Sequence, residues 1–246
     1  NGEKKGSENR QSINILGASV GLGRRLKWPD DYFTLYNGLT YQNYTLNNFS
    51  SVFSFSNGYS NCLNLTNVIS RNSIDQPIYP RSGSEISLTI QLTPPFSILK
   101  NINYKNATDQ EKYKWIEYHK WKFSTSSFIK LYDNFVLNTK TQFGFLALYN
   151  RNIGMAPFER FYLGGDGMYG YALDGREIIA LRGYTNNSLS PSTGGTIYAK
   201  YTAELRYPLS LNPATTIYLL TFVEAGDSWT KFNQFNPFSV HRSAGI

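Results

Sequence analysis

Arg182 stands in the tetrapeptide Leu181-Arg182-Gly183-Tyr184, and two isolated carboxylates follow it, Glu204 in AELRY and Glu224 in FVEAG. A guanidinium withdrawn from water needs an anionic partner, and its planar fork matches a carboxylate. The chemistry open to this trio is ion pairing, which holds one segment of chain against another. Groups able to make or break bonds are thinly spread. Cys62 is the single cysteine, so there is no internal disulfide and no CxxC pair for redox or metal work. His119 and His241 are far apart and carry no HExxH-type spacing, which argues against a metal site. Ser228 lies in Gly226-Asp227-Ser228 and not in a G-x-S-x-G elbow, while Asp166 and Asp174 suit turns. No catalytic residue, metal or cofactor is expected.

Arg182 belongs to residues 150–195, the longest stretch without alternation. Long loops in compact proteins are functional or disordered. Disorder fits poorly here, because the stretch holds Met155, Phe158, Phe161, Tyr162, Leu163, Ile178, Ile179 and Leu181. It must fold against something. Glu204 sits on the polar side of an alternating strand. The parity of Glu224 is open, since IYLLTFVEA is apolar on both faces.

The elements around it have a period of two. Ile86, Leu88, Ile90 and Leu92 share one face, opposite Glu85, Ser87, Thr89 and Gln91. Ile197, Ala199, Tyr201, Ala203 and Leu205 likewise oppose Lys200, Thr202, Glu204 and Arg206. About nine such segments are expected, approximately 11–26, 32–48, 61–75, 85–97, 113–132, 135–149, 196–207, 215–229 and 240 to the end. Residues 108–121, which could be helical by their charges, are expected to be extended. Several segments match the ~9–11 residues of membrane strands. Short connections (27–31, 76–84, 133–134, 209–215) alternate with long ones (49–60, 98–112, 150–195, 230–239). That asymmetry is a habit of outer-membrane barrels. An odd strand number and an end inside an apparent strand suggest further strands on both sides, because an open edge in lipid leaves backbone groups unpaired.

Composition agrees with this class. The chain has 246 residues, of which 16% are aromatic, as interfacial girdles require. The net charge of +7 has no lysine/arginine block behind it, so a solvated surface is favoured and no nucleic acid is expected. The first ten residues contain no apolar signal core, and no run reaches the ~18 apolar residues of a membrane helix.

Four pieces, in order, resemble the Omp85 family. Phe158, Phe161, Gly164 and Gly165 match an F-x-x-F-x-x-G-G loop stem, and Leu181, Arg182, Gly183 and Tyr184 match its V-R-G-F/Y tip. Asp75, Pro77, Pro80 and Gly83 match a D-x-P-x-x-P-x-x-G turn, and AELRYPL and FVEAGDSW resemble the strands after the loop. The residues 166–178 look like an insertion between stem and tip.

The resemblance implies an all-β, transmembrane, antiparallel sixteen-stranded barrel. Residues 1–246 would be about strands six to fourteen, with 150–195 an extracellular loop folded into the lumen and the periplasmic POTRA domains absent from this chain. It further implies that Arg182 docks on Glu204 and Glu224. The implied function is that of the central subunit of the β-barrel assembly machinery of the bacterial outer membrane. Its partners would be nascent outer-membrane β-barrel proteins, accessory assembly lipoproteins and outer-membrane lipid. Another transporter of the family, or a passive porin-type channel, is the alternative; an enzyme is not expected.

Overall fold

A computed structural model describes residues 11–49, 54–99, 104–156, 158–168, 176–212 and 214–246. Nine strands form one antiparallel meander: β1 (Ser12–Arg25), β2 (Phe33–Asn47), β3 (Gly58–Asn72), β4 (Gly83–Leu92), β5 (His119–Lys130), β6 (Val136–Ala147), β9 (Ile197–Asn212), β10 (Thr215–Trp229) and β11 (His241–Gly245). The short strands β7 (Phe161–Leu163) and β8 (Glu177–Ile179) pair in parallel within the β6–β9 connection. Every strand of the large sheet neighbours its successor in sequence. Consecutive antiparallel strands place alternate connections at opposite ends. The connections after β1, β3, β5 and β9 therefore start and end at one end of the sheet, and those after β2, β4, β6 and β10 at the other.

Burial along the strands is inverted relative to a soluble sheet. On β9, Lys200, Thr202 and Glu204 are buried, whereas Ala203 and Leu205 on the opposite face are exposed. On β10, Glu224, Gly226 and Ser228 are buried while Leu219 and Val223 are exposed, at 62% and 55%. Leu16, Val20, Leu39, Ile86, Trp121 and Phe123 continue this exposed apolar face across β1, β2, β4 and β5. Polar residues inside and apolar residues outside is the pattern of a barrel wall in lipid. No described helix is long and apolar enough to cross a membrane, and the crossing elements are strands.

Three expected segments need correction. The fourth stops at Leu92 and not at 97, because Pro94 and Pro95 cannot continue the ladder; α1 (Phe96–Leu99) follows. The fifth begins at His119 and not at 113. Thr108 and Glu111 form a capping box that starts α2 (Asp109–Lys112), so the stretch 108–121 expected to be extended opens with a helical turn, and β5 starts only after it. The seventh runs to Asn212 and not 207. Pro208 is accommodated where the register with β10 shifts, between Ile217 and Tyr218, leaving Leu209 unpaired and confining the turn to 213–214.

The turn between β3 and β4 gathers its signature residues. Asp75 accepts hydrogen bonds from the amides of Arg81 (3.0 Å) and Ser82 (3.3 Å) across Pro77 and Pro80. This holds its carboxyl below the usual aspartate range despite partial desolvation. Tyr79, 2% exposed, packs its ring 5.2 Å from that of Tyr218 on β10. Gly83 has φ +99, and a Cβ there would lie 2.2 Å from the Ser73 carbonyl oxygen. Gly83→Ala is therefore expected to destabilise the protein by about 1–3 kcal/mol, read as a lowered urea midpoint in detergent.

Candidate functional site

The described residues of 150–195 pack on the polar face of the sheet. One core joins Tyr44 and Leu46 of β2, Cys62 of β3, Leu146 of β6 and Tyr198 of β9 to Phe158, Phe161, Leu163, Ile179 and Leu181 of the segment. Strands as far apart as β2 and β10 touch the same segment, so the sheet curls around it. Phe158 stacks on Tyr44 with centroids 4.5 Å apart, and Phe161 meets Tyr198 edge-on at 4.7 Å. Gly144 of β6 makes room for this pair, since a Cβ there would meet both rings under 3 Å.

The stem closes through its glycines. Gly164 and Gly165 have φ of +121 and +100, and their amides donate to the carbonyls of Ile179 (3.0 Å) and Tyr184 (3.1 Å). A Cβ on Gly164 would lie 2.5 Å from the Thr185 carbonyl. The double glycine thus brings the stem, β7, against the tip, with Gly165 bridged to Leu181.

At the tip, Arg182 engages both carboxylates. Its Nε and one terminal nitrogen donate to Glu224 Oε1 at 3.0 and 2.8 Å, and its backbone amide donates to Glu224 Oε2 at 2.8 Å. The same terminal nitrogen donates to Glu204 Oε1 at 2.7 Å. The guanidinium also lies 3.7 Å from the centre of the Phe222 ring, a cation–π contact. Glu224 and Phe222 share the inner face of β10, which resolves the parity left open by the sequence.

Neither carboxylate depends on Arg182 alone. Lys200 lies 3.1 Å from Glu224 Oε1 and donates to the Ala180 carbonyl, so it too ties the tip to β9. Arg206 and Asn138 donate to Glu204 Oε2, and Asn138 is bonded in turn by Ser126. The network runs β5–β6–β9–tip–β10. Tyr184 extends it to β11, its hydroxyl donating to the Arg242 carbonyl at 2.8 Å, while Gly183 lies against Ser243.

A second ionic anchor is absent from the sequence-based expectation. Lys120 of β5 is 1% exposed and lies 2.8 Å from Glu159 and 2.6 Å from Glu177; Lys122 adds a contact to Glu177 at 3.0 Å. The Lys120 ammonium also faces the Phe161 ring at 4.8 Å. Glu177 belongs to residues 166–178, so part of that stretch anchors the segment; residues 169–175, Asp174 among them, lie outside the described residues. Asp166 accepts from the Met168 amide and forms a turn. The available signal was the HKWK alternation, which puts two lysines on the polar face of β5 without an obvious counter-ion.

The geometry offers ionic docking and little else. Ser228 Oγ is buried against Gly195 and has no hydrogen-bond partner among the described residues. His241 pairs with Asp227 at 3.0 Å at the sheet's loop end.

The model of the Omp85 superfamily domain matches residues 2–246. No curated protein matches the sequence. Among solved structures, BamA from Haemophilus ducreyi lacking POTRA domains 1-3 shares the fold, with a TM-score of 0.69 at 20% identity, over 96% of this chain and 48% of that one. The chain thus spans about half the length of that relative.

Proposed function

The chain belongs to the Omp85 superfamily, and from that premise we propose that it forms about strands six to fourteen of the barrel of a BamA-type assembly factor. Such a protein folds nascent β-barrel proteins and inserts them into the bacterial outer membrane, by pairing strands and without covalent chemistry. Residues 150–195 are its lumenal loop, and accessory lipoproteins and outer-membrane lipid are its further partners. The observation supporting this reading is the seating of Arg182 on Glu224, through two guanidinium nitrogens on Oε1 and the backbone amide on Oε2, shared with Glu204. A passive channel has no requirement for a loop tip tied to adjacent strands of its wall. In this reading the Arg182 contact is structural, bracing the wall beside the moving part of the barrel.

Depletion of the protein in its host tests the proposal. A fall in all outer-membrane barrel proteins, restored by the wild-type gene, is the expected result. Loss of a narrow set of barrels or of one secreted protein would favour a TamA-like factor or a two-partner secretion transporter. Unchanged barrel levels together with single-channel conductance of the purified protein would favour a porin.

A further inference from the structure

The outer face carries a groove that the assembly reading does not use. The β10–β11 connection folds back over the apolar side of the sheet, where Phe235 packs on Phe145 (5.8 Å) and Trp229 (5.0 Å), and Phe232 lies 6.4 Å from Phe145. Between this flap and the strands lies a space of about 1220 Å³. Its floor is Trp121, Phe123, Phe145 and Ile197, with Phe232 as the wall. Register places Trp121, Phe145, Ile197 and Trp229 on one row across four strands. That row stands at the end where the long connections lie, at the level of an aromatic girdle.

The rim of this groove is basic. His119, Arg151 and Lys231 line it, together with Lys122, whose ammonium turns to the inner face, and no carboxylate among the described residues does. Lys122 is engaged by Glu177. Arg151 and Lys231 are exposed and have no acidic partner among the described residues. The volume exceeds the ~300–1,000 Å³ of ordinary small-molecule pockets, which leaves room for more than one hydrocarbon chain.

We propose that this groove binds a membrane lipid whose phosphate-bearing anionic headgroup lies against Arg151 and Lys231 and whose acyl chains lie on Trp121, Phe145 and Phe232. The inference rests on the outer face being in lipid, and does not require insertion of nascent proteins.

Native mass spectrometry of the full chain, purified in a zwitterionic detergent, tests it with dimyristoyl phosphatidylglycerol, dimyristoyl phosphatidylcholine and inorganic phosphate as probes. Phosphatidylglycerol is expected to be retained selectively. The double variant Arg151→Ser, Lys231→Ser is expected to bind it roughly thirtyfold more weakly. Phe232→Ser, outside the strands, is expected to weaken both lipids. Equal retention of the two lipids, or displacement of phosphatidylglycerol by phosphate alone, would overturn the proposal. Unchanged binding by both variants would do the same. Heat-modifiable gel mobility reports whether each variant is folded. The depletion experiment can fail while this one succeeds, so the two readings are separable.

Discussion

Arg182→Glu is expected to release residues 150–195 from the sheet and to abolish complementation of a depleted host. Glu224 is 2% exposed and Glu204 7%, so a third carboxylate beside them finds little water to screen it. Removing one partner of a buried ion pair costs about 3–5 kcal/mol. Lys200 and Arg206 stay in place, so Arg182→Ala falls near the lower end and Arg182→Glu exceeds it. The double variant Arg182→Glu, Glu224→Arg is expected to restore part of the docking. Protease sensitivity of the segment and growth under depletion are the measurements. Full growth of the single variant without compensation would remove docking from the mechanism.

Lys120→Glu is expected to free the stem while leaving the tip seated. The buried ammonium is shared by Glu159 and Glu177, and reversing it leaves three carboxylates with Lys122 alone. A loss of about 3–5 kcal/mol in the docked state is expected. Lys120→Met costs less, because the two glutamates are about a quarter exposed and hydrate. The same anchor gives a pH dependence. Burial alone would raise the Glu177 carboxyl, but the Lys120 and Lys122 ammoniums hold it below the ordinary glutamate value. A carboxyl lowered in this way stabilises docking above its unfolded value and loses that contribution as pH falls through its folded value. Wild-type protein should therefore expose the stem to an acid protease only once the pH has fallen below the ordinary glutamate value. Lys120→Met, which keeps Lys122, should show a smaller step. Equal protection of the stem in wild type and Lys120→Glu would remove Lys120 as an anchor.

The strands were legible because lipid outside and polar groups inside leave a strict alternation, which survives in β9 and β4. Legibility failed where backbone chemistry overrode side-chain pattern. Pro208 reads as a stop, yet a register shift absorbs it; Pro94 and Pro95 do stop their strand, two residues after Leu92. The charged residues 109–112, just before the aromatic run that starts at Tyr113, form a capped helical turn, which the extended reading of 108–121 does not contain. Glu224 was ambiguous because Phe222 and Leu220 put apolar groups on its own inner face; Phe222 is there for the Arg182 guanidinium. Lys120 is silent in the sequence because a lysine in a strand resembles a solvated charge. Its acids lie 39 and 57 residues away in sequence, at Glu159 and Glu177.

The tip's anchors sit on three consecutive strands: Glu204 on β9, Glu224 on β10 and the Arg242 carbonyl on β11. A one-residue slip of β10 would turn Glu224 to the outside. A two-residue slip would keep it inside but carry it about 7 Å along the strand, beyond a fork whose bonds are all within 3.0 Å. Only one threading of the wall satisfies all three anchors together. The arginine is in this sense a proofreader: it can seat fully only where the strands are correctly aligned, so its seating is a check on that alignment.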